Sequence, residues 1–192
     1  MWKQLGTAFR LLVAMTVLTG FIYPGVVTEL CQWFFPTTAN GSLIRVNRRV
    51  VGSSLIGQNF TKPEYFHPRL SAAGDGYDAS TSGGSNYGPT SQELVHRVKD
   101  SIAEFRQANP NYKGPIPADL VTSSASGLDP DISLASAEAQ AARVAAARDV
   151  PPEEVRRLIN QHTEGRGLGF LGDPRVNVLE INLALDQQFP RG

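Results

Sequence analysis

The stretch Leu11–Leu30, LLVAMTVLTGFIYPGVVTEL, decides how the rest of the chain is read. It holds one charged residue, Glu29, close to its end. At about 1.5 Å of rise per helical residue, twenty residues reach roughly 30 Å, the thickness of a bilayer's hydrocarbon core. Three fates compete for it. A membrane anchor suits the length, and Trp33, Phe34 and Phe35 follow as an aromatic cluster of the kind that sits at the membrane–water interface. A cleaved signal peptide would use Lys3 and Arg10 as its basic start, but an A-x-A-like site is lacking; Thr37-Thr38-Ala39 is a weak substitute beyond the aromatics. A buried core helix would be shorter, about 10–14 residues, and would carry polar positions at helical spacing. The anchor is the favoured reading. Gly20 and Pro24 lie inside it and suggest a kink more than a break.

Charge gives the anchor a direction. Lys3 and Arg10 precede it with no acid, and no base follows until Arg45. Because basic flanks stay in the cytoplasm, the expectation is a cytoplasmic N-terminus (residues 1–10), a transmembrane helix (11–30) and an outer domain (36–192). In a two-membrane bacterium that domain is periplasmic and the anchor sits in the inner membrane.

The chain has 192 residues, of which about 155 lie beyond the anchor, enough for one compact domain. Lys plus Arg and Asp plus Glu number 18 each, so charge points to neither a nucleic-acid partner nor an anionic surface. The one cysteine, Cys31, permits no internal disulfide. With 18 glycines and 13 prolines, long ordered loops are expected.

Working outward, Pro36 ends the anchor, and TTANGS (37–42) is a connector with an Asn40-Gly41 turn signal. Leu43, Ile44, Val46, Val50 and Val51 make two short strands around a tight turn at Asn47-Arg48, with a third element expected at Ser54–Gly57. Phe60, Tyr65 and Phe66 are expected to pack on that sheet. Residues 71–90 hold five glycines and two tyrosines. A disordered linker there would cut one domain in half, so an ordered surface loop that makes a contact is favoured.

Thr90 or Ser91 caps a helix from Gln92 to Gln107, with Leu94, Val95, Val98, Ile102 and Phe105 on one face. Ser133 caps an alanine-rich helix running to Asp149. Pro151-Pro152 opens a third helix, to His162, with Val155, Leu158 and Ile159 buried. Residues 165–174 are glycine-rich. Val176–Leu185 alternates like a strand, yet Asn177 with Glu180 resembles a helix cap, and a helix is taken. The fold class is therefore α+β: one transmembrane helix, then one domain with a small β-sheet and about four helices.

Chemistry-bearing patterns are sparse. His67, His96 and His162 have no metal-ligand spacing, and Gly83-Gly84-Ser85 lacks the Lys-Ser/Thr of a phosphate loop. Asp119, Asp129 and Asp131 fit no calcium loop, and the favoured reading makes them caps of helices and turns. Residue chemistry alone describes a non-enzymatic anchored domain. The alternatives kept open are a secreted periplasmic enzyme and a stand-alone nucleotide-binding module.

Several strings resemble one family. They are Gly52-Ser53-Ser54-Leu55-Ile56-Gly57-Gln58, Ser71-Ala72-Ala73-Gly74, Gly76-Tyr77-Asp78-Ala79, Ser82-Gly83-Gly84-Ser85-Asn86 and Gly88-Pro89-Thr90. Asp119-Leu120-Val121-Thr122, Ser126-Gly127-Leu128-Asp129-Pro130, Arg143-Val144-Ala145 and Ala147-Arg148 follow. So do His162-Thr163-Glu164, Leu168-Gly169-Phe170-Leu171-Gly172 and Pro174 through Leu179. Together they resemble the KdpC family, one of the component families of the potassium-transporting Kdp ATPase. Leu70, Asp131 and Asp149 depart from it, standing where proline, histidine and glycine are usual.

The resemblance implies a single-span accessory subunit. Its partners would be a channel-like potassium-binding subunit, an ATP-hydrolysing P-type subunit, a small membrane peptide and the lipid bilayer. No cofactor is held firmly by this chain; ATP and potassium are used by the complex. The family is described as a catalytic chaperone that raises the ATP affinity of the hydrolysing subunit, and Gln140 is the position associated with nucleotide contact. No catalytic residue and no metal ligand are implied. Because ATP is cytoplasmic and the polar surface is expected outside, an indirect effect on ATP use is favoured, with the glycine-serine loop at 74–90 as the contact surface.

Overall fold

A computed structural model describes residues 2–190. Met1 and residues 191–192, the outer ends of the expected N-terminal segment and outer domain, lie outside the described residues. The chain separates into two compact units, one up to Val51 and one from Gly52 onward.

The first unit is dominated by helix. α1 (Trp2–Val17) passes through a π-helical turn (Leu18–Ile22) into α2 (Tyr23–Phe34). The apolar helix Gln4–Phe34 is 31 residues long, and none of its most apolar stretch is buried. It thus extends past both ends of the expected Leu11–Leu30 span. The π turn has a local cause. Pro24 has no N–H to give to the carbonyl four residues back, at Gly20, and its ring crowds that position. The Tyr23 N–H bonds instead to the Leu18 carbonyl, one residue further back than in an α-helix, and the helix continues. Phe35 leaves the helical region ahead of Pro36, as residues before proline do. A four-residue turn, α3 (Pro36–Ala39), follows, and Gly41 takes the left-handed conformation at the Asn40-Gly41 turn.

β1 (Leu43–Val46) and β2 (Arg49–Ser53) form a two-stranded hairpin. Asn47 and Arg48 both have positive φ, 50° and 65°, as a two-residue I′ turn requires. The third element expected at Ser54–Gly57 is a turn. The Ser53 hydroxyl accepts from the Leu55 N–H, and the Ile56 N–H bonds the Ser53 carbonyl, so the backbone turns away from the ladder.

The second unit has a helical core with its own small sheet. α4 (Gln92–Ala108), α5 (Leu134–Arg148), α6 (Pro152–Gln161) and α7 (Val178–Gln188) are its four α-helices among the described residues, joined by 3₁₀ turns at Ala79–Thr81 and Ala118–Leu120. Ser91, Ser133 and Asn177 cap their helices by accepting from the N–H groups of Leu94, Ser136 and Glu180. At the far end of α5, Asp149 sits in the left-handed region at φ 55°, the conformation that favours glycine at a helix C-terminus.

Three short strands, β3 (Asp131–Ser133), β4 (Thr163–Glu164) and β5 (Arg175–Asn177), make an antiparallel sheet in the order β3-β5-β4. This second sheet was not expected. Its strands are two or three residues long, too short for an alternating pattern to show. Ile132 and Val176 face each other across it and enter the core with Val144, Val155, Leu158, Ile159, Val178, Ile181 and Leu185. At about 1.5–3 kcal/mol for each large side chain fully buried, this cluster is the main stabilising element. α7 is buried on nearly all sides, which explains why its apolar residues mimic a strand. Phe66 joins this helical core and Phe60 packs against it, which corrects their expected place on the β1–β2 sheet.

Candidate functional site

The second unit is organised by the extended segment 64–70. It runs between α5 and α7 and meets another backbone in a β-bridge only at its end, Leu70 with Ser123, so the backbone groups of Phe66 and His67 need other partners. Two side-chain amides supply them. Asn182 of α7 accepts from the Phe66 N–H at 2.8 Å and donates to the Phe66 carbonyl at 3.0 Å. Gln140 of α5 does the same for His67, at 2.8 and 3.1 Å. Both amides are almost wholly buried. Each satisfies a donor and an acceptor on one residue, as a neighbouring strand would. Gln140 also donates to the Ser136 carbonyl and accepts from Arg143, so both ends of its amide are engaged within the chain.

Two arginines of α5 extend the clamp. Arg143 donates to the carbonyls of Pro63 and Tyr65, to Asn109 and to Gln140. Burial pulls its pKa down to about 10, so it is still charged at neutral pH. Arg148 reaches the carbonyls of Glu64 and Phe189, pairs with Asp186 at 2.7 Å and lies over the Tyr65 ring. Burial and the Arg143 charge hold His67 below its ordinary pKa, so its ring favours the neutral form. These roles escaped the sequence reading. The available signal was two arginines five residues apart in a helix otherwise built from small residues.

Beyond residue 68 the chain folds into a lock with residues 121–129. Ser71 Oγ donates to the Gly127 carbonyl and accepts from the N–H groups of Ala73 and Tyr77. Gly83 N–H and Ser82 Oγ both donate to the Ser126 carbonyl. Arg69 pairs with Asp129 at 2.6 Å, and the Tyr77 hydroxyl donates to the Arg69 carbonyl. Burial and the Asp129 charge push the Tyr77 phenol up. Residues 71–90 are therefore an ordered loop that makes a contact, and that contact is with the chain's own 121–129 segment. Beside it lies a cavity of about 430 Å³ lined by Phe60, His67, Arg69, Tyr77, Phe105 and Gln140, among others.

The three aspartates do separate work. Asp119 accepts from the Ser133 N–H and from both the Ser133 and Ser136 hydroxyls, anchoring the start of α5. Asp129 holds Arg69, and Asp131 pairs with Arg175 at 2.9 Å, with burial raising the Asp131 pKa. No group of three or more His, Cys, Asp or Glu placed to hold a metal occurs among the described residues. The histidines lie on separate elements: His67 in the clamped segment, His96 on exposed α4 and His162 at the end of α6.

One helix among the described residues, Gln4–Phe34, is long and apolar enough to cross a membrane, and an α+β unit follows it, an arrangement that suits a membrane-associated, single-pass protein. The family model described as "K+-transporting ATPase, c chain" (KdpC) matches residues 5–187. A potassium-transporting ATPase KdpC subunit from Gemmatimonas aurantiaca is 56% identical over 187 residues, covering 97% of this chain and 94% of the relative. Another, from Koribacter versatilis, is 54% identical over 190 residues, 99% of this chain and 97% of the relative. A third, from Mycobacterium bovis, is 50% identical over 189 residues, 97% of this chain and all of the relative. The chain belongs to the KdpC family of potassium-transporting ATPase components.

Proposed function

We propose that this chain is the non-catalytic, single-pass accessory subunit of an ATP-driven potassium uptake complex in the bacterial inner membrane. Its N-terminus lies in the cytoplasm, and the unit from Gly52 onward stands on the periplasmic side. Its partners are a channel-like potassium-binding subunit and an ATP-hydrolysing P-type subunit. The chain holds the potassium-binding subunit in its working shape from outside. Any gain in ATP affinity reaches the hydrolysing subunit as coupling between distant sites, a linkage usually worth about 1–3 kcal/mol.

The observation that carries this reading is the 31-residue apolar helix, Gln4–Phe34, left wholly exposed in a chain of this family. A helix of that length and composition has no stable place in water. The engaged amide of Gln140 supports the indirect route over direct contact with nucleotide, because a nucleotide at that amide would have to displace the His67 backbone or Arg143. Leu11–Leu30 has a single charged side chain, Glu29, close to its end, which supports an assembly role over a conducting one. The experiment is deletion of residues 11–30 with co-purification on a tagged partner subunit. Loss of the chain from the purified complex is expected; undiminished recovery contradicts the assembly role.

A further inference from the structure

The glycine-rich segment 165–174 forms a small, well-made hairpin. Gly167 and Leu171 exchange two backbone hydrogen bonds of 2.8 Å, and the N–H groups of Gly169 and Phe170 close the turn onto Arg166 and Gly167. This hydrogen-bonded tip holds three large apolar side chains in solvent. Leu168 is 83% exposed, Phe170 70% and Leu171 54%. Leu168 also has a φ of 52°, a left-handed conformation that a leucine adopts at a cost. Packing within the chain does little to repay that cost, since Leu168 itself is 83% exposed.

At the base of the tip the charges are already paired. Arg166 meets Asp173 at 3.3 Å, and Arg175 meets Glu164 at 2.7 Å and Asp131 at 2.9 Å. An anionic lipid surface is recognised by unpaired basic residues, and neither arginine here is unpaired. An apolar centre inside an ion-paired rim with no unpaired base, two arginines against three acids, is instead the anatomy of a protein contact.

We infer that the Leu168–Leu171 tip is an anchor that enters an apolar groove on another protein subunit of the same ATPase. This rests on the reading of the chain as an accessory subunit and adds which surface it uses. Strain and exposure then have one explanation. The backbone is preorganised before binding, and the cost of ordering the anchor is met in the free chain.

The test uses the full chain in the assembled complex. A photoreactive residue placed at position 170 should yield a covalent adduct with another subunit of the ATPase. Adducts with lipid alone, with a second copy of this chain, or with nothing overturn the inference. In parallel, Phe170→Ser combined with Leu171→Ser should weaken co-purification about thirtyfold, the loss expected for an interface hot spot. Its thermal unfolding in micelles should match the native chain, and a lowered midpoint would show that the tip serves the fold and overturn the docking role. Native recovery with undiminished recovery of the variant overturns this inference alone. Failure of the native chain to co-purify overturns the subunit reading and this inference with it.

Discussion

Residues 71–90 and 165–174 are both glycine-rich, both carry aromatic residues and both are ordered, yet they face opposite ways. The first is tied by part of its length to its own chain. Ala73 is fully buried, and Gly127 opposite it has no room for a side chain: a Cβ there would lie 2.7 Å from the Ala73 nitrogen and from the Gly83 carbonyl oxygen. The second turns outward. Gly169 and Gly172 also have positive φ, but a Cβ on either would meet nothing within 4 Å. Glycine serves close backbone approach where 71–90 meets 121–129, at Gly127 and at Gly84, whose added Cβ would lie 3.0 Å from the Ala125 carbonyl oxygen, and turn geometry alone at Gly169 and Gly172. Composition does not separate these uses. Only the partner segment does, and for Ser71 that partner lies 56 residues away.

The comparison breaks most readily at the clamp that feeds the inward loop. Asn182→Ala leaves the buried N–H and carbonyl of Phe66 without partners, and a loss of about 4 kcal/mol in unfolding free energy is expected. Chemical denaturation of the full chain in micelles measures it. A loss below about 1 kcal/mol would mean that water reaches this strand and that the amide is not its partner.

The two kinds of glycine then sharpen the contrast. Gly127→Ala combines left-handed strain with a backbone collision and should cost about 3 kcal/mol, whereas Gly169→Ala carries strain alone and should cost about 1 kcal/mol. The same denaturation measurement compares them. Equal losses would erase the distinction between the loops.

Much of the helical frame was legible. The caps at Ser91, Ser133 and Asn177 stood in the sequence because a short polar side chain before an apolar run has few other uses. The tight turn at Asn47-Arg48 was legible for similar local reasons. The β3-β5-β4 sheet was not, because its pairing joins residues 131–133 to 175–177 through strands too short to show a period. Nor was the amide clamp. Gln140 and Asn182 look like solvated helix residues until tertiary packing lays a bare backbone strand against them. The apolar tip was visible as the string Leu168-Gly169-Phe170-Leu171, but its exposure depends on what the fold leaves uncovered. Asp149 was expected to stand where glycine is usual, and its left-handed φ is the conformation that glycine favours.

On the proposed function, an outer domain held to the membrane by Gln4–Phe34 acts on the pump from the periplasmic side. A protease-sensitive tag placed after Gly192 tests it most directly, in spheroplasts with the inner membrane intact. The account predicts that added protease removes the tag without lysis. A tag that is protected until the membrane is broken would place the domain in the cytoplasm and contradict it.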